Sequence, residues 1–184
     1  MRELSLHILD LVDNSIGAKA SRIQVSVRED LRNNVLEIGI EDNGKGMSKE
    51  MVQSVIDPFV TTRTTRKVGL GIPLFKEAAE TCNGSFTIDS ELGVGTVVKA
   101  RFQHDHLDRM PLGDMVGTFT SLIIGTPEIN FVIKYDYDDY SFVFDDKLMK
   151  QELADVPLSD PAVIEFVKES LKEGFSPAIH QSES

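Results

Sequence analysis

The sequence contains a single cysteine, Cys82, which excludes an internal disulfide and is typical of a reducing compartment. It also has no apolar run close to the roughly 20 residues that a membrane helix needs. Acidic residues interrupt the apolar part of residues 1–10, unlike a secretory signal. The 41% hydrophobic and 27% charged content is typical of a folded soluble protein. We therefore expect a cytoplasmic protein with no membrane partner.

Basic residues are scarce, above all in the second part of the chain. The net charge is −11, and residues 103–184 hold 6 Lys and Arg against 16 Asp and Glu. Such a surface is poorly suited to nucleic acid or anionic lipid. Three basic residues nevertheless collect within five positions, namely Arg63, Arg66 and Lys67. A basic cluster in an acidic chain indicates a small polyanionic ligand, although a solvated loop would have the same composition.

Hydrophobic periodicity predicts alternating helices and strands over residues 1–102. Residues 2–18 have the period of a helix, with one apolar stripe and one polar stripe. The polar stripe runs through Glu3, His7, Asp10, Asn14 and Gly17. The other predicted elements are a hairpin of strands 22–28 and 35–41, helices 48–56 and 71–82, and strands 85–90 and 95–102.

The composition and the hydrophobic pattern of the sequence change after Phe102. Residues 103–111 are linker-like, and residues 112–124 are compatible with either a helix or a strand. Beyond them we predict a hairpin (129–135 and 140–144), a helix (161–173) that begins after Ser159-Asp160 and ends at Gly174, and a disordered tail from Ser176. These patterns predict two parts, a domain of residues 1–102 and an acidic extension of residues 103–184.

Asp42 follows a predicted strand and precedes Asn-Gly-Lys-Gly46. Glycines allow close approach of the backbone to a ligand, and a carboxylate placed here can accept a hydrogen bond from an exocyclic amine. Met47 offers a soft apolar surface for a ring. A plain Asn-Gly turn between a strand and a helix explains this segment equally well.

Asp10 and Asn14 lie one helical turn apart, so both side chains can face one ligand. Magnesium keeps most of its waters and takes few protein oxygens, so one amide oxygen near phosphates suits it. Asp10 can orient a water or accept a proton. The alternative is an ordinary solvated helix face.

Gly69-Leu70-Gly71 opens a predicted helix, and amide groups at a helix N-terminus attract phosphate. Arg63, Arg66 and Lys67 precede it and can close over the phosphates. The sequence has neither the Gly-x4-Gly-Lys-Ser/Thr phosphate loop nor a Gly-x-Gly-x-x-Gly after a strand. Such a phosphate site would therefore be of a different kind.

The motifs together resemble the GHKL superfamily, which contains type II topoisomerase subunits, chaperone ATPases, histidine-kinase catalytic domains and mismatch-repair ATPases. Residues 10–18 resemble its N-box, residues 42–47 its first glycine box, residues 58–62 its F-box, residues 68–72 its second glycine box, and Gly93-Val-Gly-Thr96 its closing glycine-threonine segment. The resemblance covers residues 1–102.

This resemblance implies that residues 1–102 form a two-layer α/β sandwich of the Bergerat type that binds ATP and Mg²⁺. The elements predicted for residues 103–184 make a C-terminal α+β extension. The resemblance also implies Asn14 as the magnesium ligand, Asp42 as the adenine reader and Thr96 as a helper at the adenine edge. Gly44 and Gly46 would form the turn under adenine, and Gly69 and Gly71 would contact phosphate beside Leu70. A mobile lid would span roughly residues 58–70.

The chain departs from the superfamily ATPases at Asp10, where they carry a glutamate that activates water. Asp is one methylene shorter, and a misplacement of about 1 Å can cost about 100-fold in rate. We therefore expect a histidine kinase-like protein that phosphorylates or regulates a partner in trans, with residues 103–184 as a candidate surface for that partner. The alternatives are an ATPase switch of the mismatch-repair type and a non-catalytic, nucleotide-gated binding module.

Overall fold

A six-stranded mixed sheet with helices packed on one face forms the core of the protein. The computed structural model describes residues 2–57, 59 and 70–184. Along the chain the elements are α1 (Leu4–Gly17), β1 (Arg22–Asp30), β2 (Val35–Asp42), α2 (Lys49–Ile56), α3 (Gly71–Thr81), β3 (Ser85–Glu91), β4 (Gly95–Gln103), α4 (Met115–Gly125), β5 (Asn130–Tyr137), β6 (Tyr140–Asp145), α5 (Asp146–Leu153), α6 (Pro161–Gly174) and α7 (Ser176–Ser182).

The strands lie in the order β3-β4-β2-β1-β5-β6, and all neighbours are antiparallel except β1 and β5. The strict alternation of β1 buries Ile23, Val25 and Val27 under the helices and leaves the intervening side chains on the other face. The predicted hairpin of β1 and β2 is confirmed by their antiparallel register. This arrangement confirms the predicted α/β layered fold.

Helix α1 packs its apolar stripe into the core, where Leu4, Ile8 and Val12 are fully buried. Helix α3 contacts α1 as well as β3 and β4, and Phe75 on α3 packs against Phe86 and Phe102 of those strands. The two helices therefore bring the Asp10–Asn14 segment and the start of α3 to the same end of the sheet.

The extension continues the same sheet, because β5 pairs in parallel with β1 and places Ile133 opposite Val25. Helices α4 and α6 pack together over this part, and Phe175 stacks on Tyr135 at 4.7 Å between ring centroids. The division of the chain after residue 102 stays a prediction about domains, although the sheet itself runs across it.

The structure corrects the predicted tail and resolves one ambiguity. The sequence predicts disorder from Ser176 onward, but Ser176–Ser182 form α7, whose Ala178 and Ile179 pack against the core. Residues 112–124, which the sequence left open between a helix and a strand, contain the helix α4. Asp114 caps its N-terminus by accepting a hydrogen bond from the amide of Gly117 at 2.8 Å. Within the part of the chain that the structure describes, no helix has the length and apolarity to cross a membrane.

Candidate functional site

Asp42 lies at the end of β2, and its carboxylate is held by two donors. The hydroxyl of Ser15 on α1 donates to Oδ2 at 2.6 Å, and the amide of Gly44 donates to Oδ1 at 2.8 Å. Ser15 is buried and Asp42 is half-buried. The carboxylate is therefore fixed in orientation, while the remaining lone pairs of its two oxygens can still accept hydrogen bonds.

The loop after Asp42 is tied to the rest of the fold at two points. The side-chain oxygen of Asn43 accepts from the amides of Ser21 and Arg22, both at 2.9 Å. The amide of Lys45 donates to the carbonyl of Ala18 at 2.9 Å, just beyond the end of α1. These contacts fix the position of Asp42 relative to α1.

Thr96 is the register partner of Asp42 on the neighbouring strand β4. Its hydroxyl lies 2.8 Å from that of Ser90, which also accepts from the amide of Met47 at 2.8 Å. Ser90 thus connects the start of β4 to the loop that carries Met47. Asp42, Met47 and Thr96 therefore lie close together.

Gly46 has a φ of +71°, and a β-carbon added there would collide with the carbonyl oxygen of Glu91. This collision involves the chain's own backbone at the end of β3. The need for glycine at position 46 therefore has a structural explanation that requires no ligand.

Asp10 and Asn14 lie one turn apart on α1, and Asp10 faces the start of α3. The Nδ2 atom of Asn14 is buried and has no hydrogen-bond partner among the described residues. This buried atom is the donor end of the amide, and a flip of the side chain would bring the amide oxygen, the end that can bind a cation, to the same place. A buried polar group without a partner in the protein is a feature expected where a ligand binds.

Asp10 lies directly against the first residue of α3. A β-carbon placed on Gly71 would come within 3.2 Å of the β-carbon of Asp10 and 3.9 Å of its Oδ2. Leu70, the N-cap of α3, has no side-chain acceptor to cap the helix, and Pro73 in the first turn has no amide hydrogen. The start of α3 therefore presents backbone donors near the Asp10 carboxylate.

His7 lies one turn before Asp10 and is buried against the ring of Phe75, with centroids 5.5 Å apart. Burial lowers the pKa of its imidazole below the ordinary value of 6.5, and the nearby carboxylate of Asp10 only partly opposes this shift. The neutral imidazole is therefore the form that the fold favours.

The structure describes nine of the predicted site residues, which lie on α1, at the end of β2 and in the loop after it, at the start of α3 and at the start of β4: Asp10, Asn14, Asp42, Gly44, Gly46, Met47, Leu70, Gly71 and Thr96. The other four lie outside the described residues: Arg63, Arg66, Lys67 and Gly69. Most of the lid predicted for residues 58–70 is outside them as well. The roles assigned to these residues stay predictions.

Sequence reasoning missed three residues of the site, Ser15, Asn43 and Ser90. Ser15 had a detectable signal, since it occupies a position on the apolar face of α1, four residues after Leu11, and a buried hydroxyl there requires a partner. Ser90 had no comparable signal, because its contacts depend on how β3 and β4 meet the loop after β2.

The sequence of the first part of the chain matches a known family. A model of the histidine kinase-, DNA gyrase B-, and HSP90-like ATPases matches residues 2–106. The chain belongs to this family. The motif resemblance is thereby confirmed, and this histidine kinase-like ATPase domain accounts for more than half of the chain.

Curated relatives of this ATPase domain include sensor kinases. The chain is 33% identical over 104 residues to the histidine protein kinase DivJ of Caulobacter vibrioides, a match that covers 54% of this chain and 17% of that kinase. It is 32% identical over 116 residues to the cell-division control histidine kinase PdhS of Brucella abortus, covering 55% of this chain and 11% of the kinase. The chain thus spans less than a fifth of these relatives.

Two solved structures share the fold at 16% sequence identity. The Aquifex aeolicus MutL ATPase domain complexed with ADP has a TM-score of 0.51, with 96% of this chain and 70% of that one covered. The N-terminal domain of a DNA repair protein has a TM-score of 0.54, with 78% and 52% covered. At this level of identity the comparison concerns the fold.

Proposed function

We propose that this chain binds ATP with Mg²⁺ and passes the γ-phosphoryl group to a partner protein, as a histidine kinase-like module that works in trans. The observation that carries the proposal is the Asp42 carboxylate, fixed by Ser15 and Gly44 at the end of β2. A carboxylate preoriented in this way, in a chain of this family, is suited to recognise one edge of a base.

The adenine end of the ligand would lie at Asp42. The exocyclic amine of adenine can donate to the carboxylate, whereas guanine presents a carbonyl oxygen that would face it unfavourably. Thr96 and Met47, held near Asp42 through Ser90, would contact the edge and the face of the ring. The MutL ATPase domain, a protein of similar fold, was solved in complex with ADP, which is an adenine nucleotide.

The phosphates would lie between α1 and the start of α3. With the side chain flipped, the amide oxygen of Asn14 occupies this buried, unpartnered position and fits a magnesium ligand, because magnesium takes few protein oxygens and completes its shell with phosphate and water. Among the described residues no three His, Cys, Asp or Glu side chains gather into a metal site, which suits an ion that arrives with the nucleotide. The amides at the start of α3 would bind phosphate, with Gly69, Arg63, Arg66 and Lys67 as further proposed contacts.

Asp10 decides between phosphoryl transfer and hydrolysis. Its contact with Gly71 brings it to the proposed phosphate end, where a carboxylate can orient a nucleophile. Its short side chain argues against efficient activation of water, and this favours a nucleophile supplied by a partner. Residues 103–184 are the proposed surface for that partner.

The main alternative is an ATPase switch. It is favoured by the similarity to the MutL ATPase domain, which extends over 96% of the chain and so includes the extension. In this alternative ATP hydrolysis would change the shape of the protein rather than phosphorylate another one. A third function, that of a nucleotide-gated binding module, would need no chemistry from Asp10.

One experiment separates the three functions. The protein is incubated with γ-labelled ATP and Mg²⁺, alone and with the proteins that co-purify with it, and free phosphate and labelled protein are measured. The proposal predicts slow phosphate release from the protein alone and label on a partner, both lost in Asp42→Asn. If the protein alone releases phosphate fast and Asp10→Ala abolishes this release, the ATPase switch replaces the kinase as the proposed function. If ATP binds but neither free phosphate nor labelled protein is formed, the nucleotide-gated binding module is the function that remains.

A further inference from the structure

A second cavity lies away from the nucleotide site, in the extension. It measures about 550 Å³, is open to solvent on one side, and is lined by residues 111–116, the end of α6 and α7. Its walls are mostly apolar, and its charged lining residues are two acids, Glu29 and the α4 cap Asp114, and two bases, Arg109 and Lys172. Cavities of this size with mostly apolar walls and a few polar groups are typical of small-molecule sites.

A buried carboxylate borders this cavity. Glu29 on β1 is only 2% exposed, and each of its oxygens already has a partner in the protein. The hydroxyl of Tyr135 donates to Oε2 at 2.5 Å, and Nε2 of His104 lies 2.9 Å from Oε1. Charged side chains this deeply buried are rare unless they are paired, so Glu29 is a built part of the cavity rather than a chance neighbour.

Arg109 lines the same cavity, and part of the hydrogen-bonding capacity of its guanidinium group has no protein acceptor among the described residues. Its Nε donates to the carbonyl of His104 and its Nη1 to the carbonyl of Met110 at 3.0 Å, while Nη2 donates to none of the described residues. Burial lowers the pKa of the guanidinium, a sign of partial desolvation, although an arginine stays charged throughout the physiological range. The exposed Lys172 adds a second positive charge at the edge.

From this combination we propose that the cavity binds a small molecule with an apolar body and a single anionic group. The apolar body would displace water from the walls around Phe175 and Ile179, and the anionic group would accept hydrogen bonds from Arg109. A partly desolvated cation binds an anion more strongly than an exposed one does. Glu29, already saturated by Tyr135 and His104, disfavours a second acid deeper in the cavity.

The cavity wall is connected directly to helix α1. The carbonyls of Pro111 and Leu112 accept from the amides of Leu4 and Ser5, both at 2.9 Å, and these are the first two residues of α1. The same helix carries Asp10 and Asn14 further along. A ligand that shifts the wall would therefore act on the nucleotide helix, and this part of the inference rests on the proposed ATP site.

The first test is direct binding without nucleotide, measured by calorimetry with octanoate, 1-octanol and octylamine as probes. Octanoate should bind, and the neutral and cationic probes should bind at least about tenfold more weakly, because a hydrogen bond to a charged group is lost. Arg109→Gln should weaken the binding of octanoate by a similar factor. The matched control Arg101→Gln, an exposed arginine on β4, should leave its affinity unchanged.

Equal binding of the three probes, or octanoate affinity that is unchanged in a folded Arg109→Gln, would overturn the proposal. If Arg109→Gln does not fold, Ala178→Trp decides, because it fills the cavity from α7 and keeps Arg109. Loss of octanoate binding in that variant supports the site, and retention refutes it.

The coupling to α1 is tested by the affinity for ATP with and without saturating octanoate. A change in ATP affinity, mirrored by an equal factor in octanoate affinity, is expected from linkage. If octanoate leaves the affinity for ATP unchanged, the coupling to α1 is refuted, whereas the proposed ligand site is not. Octanoate binding in a protein that binds no ATP at all would refute the proposed nucleotide function and leave the second cavity standing.

Discussion

The hydrogen bond from Ser15 to Asp42 offers a test of preorganisation at the base end of the site. Replacing Ser15 by Ala removes one hydroxyl and leaves Oδ2 of Asp42 without its protein donor. The bond is short, at 2.6 Å, and joins a buried hydroxyl to a carboxylate. Hydrogen bonds to charged groups contribute about 1.5–3 kcal/mol to stability.

The lower end of this range applies here, because Asp42 is half-buried and water can replace part of the lost bond. We expect the free energy of unfolding of Ser15→Ala to fall by about 1.5 kcal/mol. The affinity for ATP should fall up to about tenfold, since the unrestrained carboxylate must be ordered again on binding. GTP gains nothing from Asp42, so its affinity should stay unchanged and the preference for ATP should shrink.

Urea denaturation and calorimetry with both nucleotides measure these quantities. Ser141→Ala serves as the matched control, because Ser141 is exposed on β6 at the opposite edge of the sheet from β3. A folded Ser15→Ala that keeps the wild-type ratio of ATP to GTP affinity would refute the role given to this hydrogen bond.

Three further predictions concern helix α1. Asn14→Ala should abolish the magnesium dependence of ATP binding without lowering the melting temperature, because the buried amide nitrogen has no partner to lose among the described residues. Unchanged magnesium dependence would exclude Asn14 as a ligand. ATP hydrolysis by the wild type should be slow, and Asp10→Glu should raise its rate or leave it unchanged. This is measured by phosphate release. If the wild type turns over fast and Asp10→Glu destroys that activity, Asp10 is already a well-placed base. His7→Phe should flatten the pH dependence of stability: the fold lowers the pKa of His7, so below about pH 6.5 the unfolded wild type takes up a proton that the native state resists, and stability is lost as pH falls. Urea titrations between about pH 5 and pH 7.5, in which the two proteins show equal slopes, would contradict this assignment.

Local patterns were sufficient to predict most of the elements. The helix from Pro161 to Gly174 combines an Asp160 cap, which accepts from the amide of Ala162, with a proline in its first turn, and these signals depend only on neighbouring residues. The alternation of β1 and β2 likewise depends on the two faces of one sheet. The predicted hairpin could therefore be located to within two residues at its ends.

Long-range relations could not be read in the same way. The parallel pairing of β5 with β1 joins residues more than a hundred positions apart, and nothing in the pattern of residues 129–135 specifies that partner. The tail helix α7 is stabilised by packing of Ala178 and Ile179 on the core, which outweighs its weak local signals. The motifs located Asp42 and Asn14, but the pairing of the Ser15 hydroxyl with Asp42 depends on the packing of α1 against β2, which no local pattern specifies.

The central claim is that Asp42 makes this an adenine nucleotide site. It is tested most directly by calorimetry of ATP and GTP, each with Mg²⁺, on the wild type and on Asp42→Asn. We expect the wild type to prefer ATP by about 5- to 150-fold, the value of one buried hydrogen bond, and the variant to lose this preference through weaker ATP binding. Equal affinities of the wild type for ATP and GTP would contradict the claim.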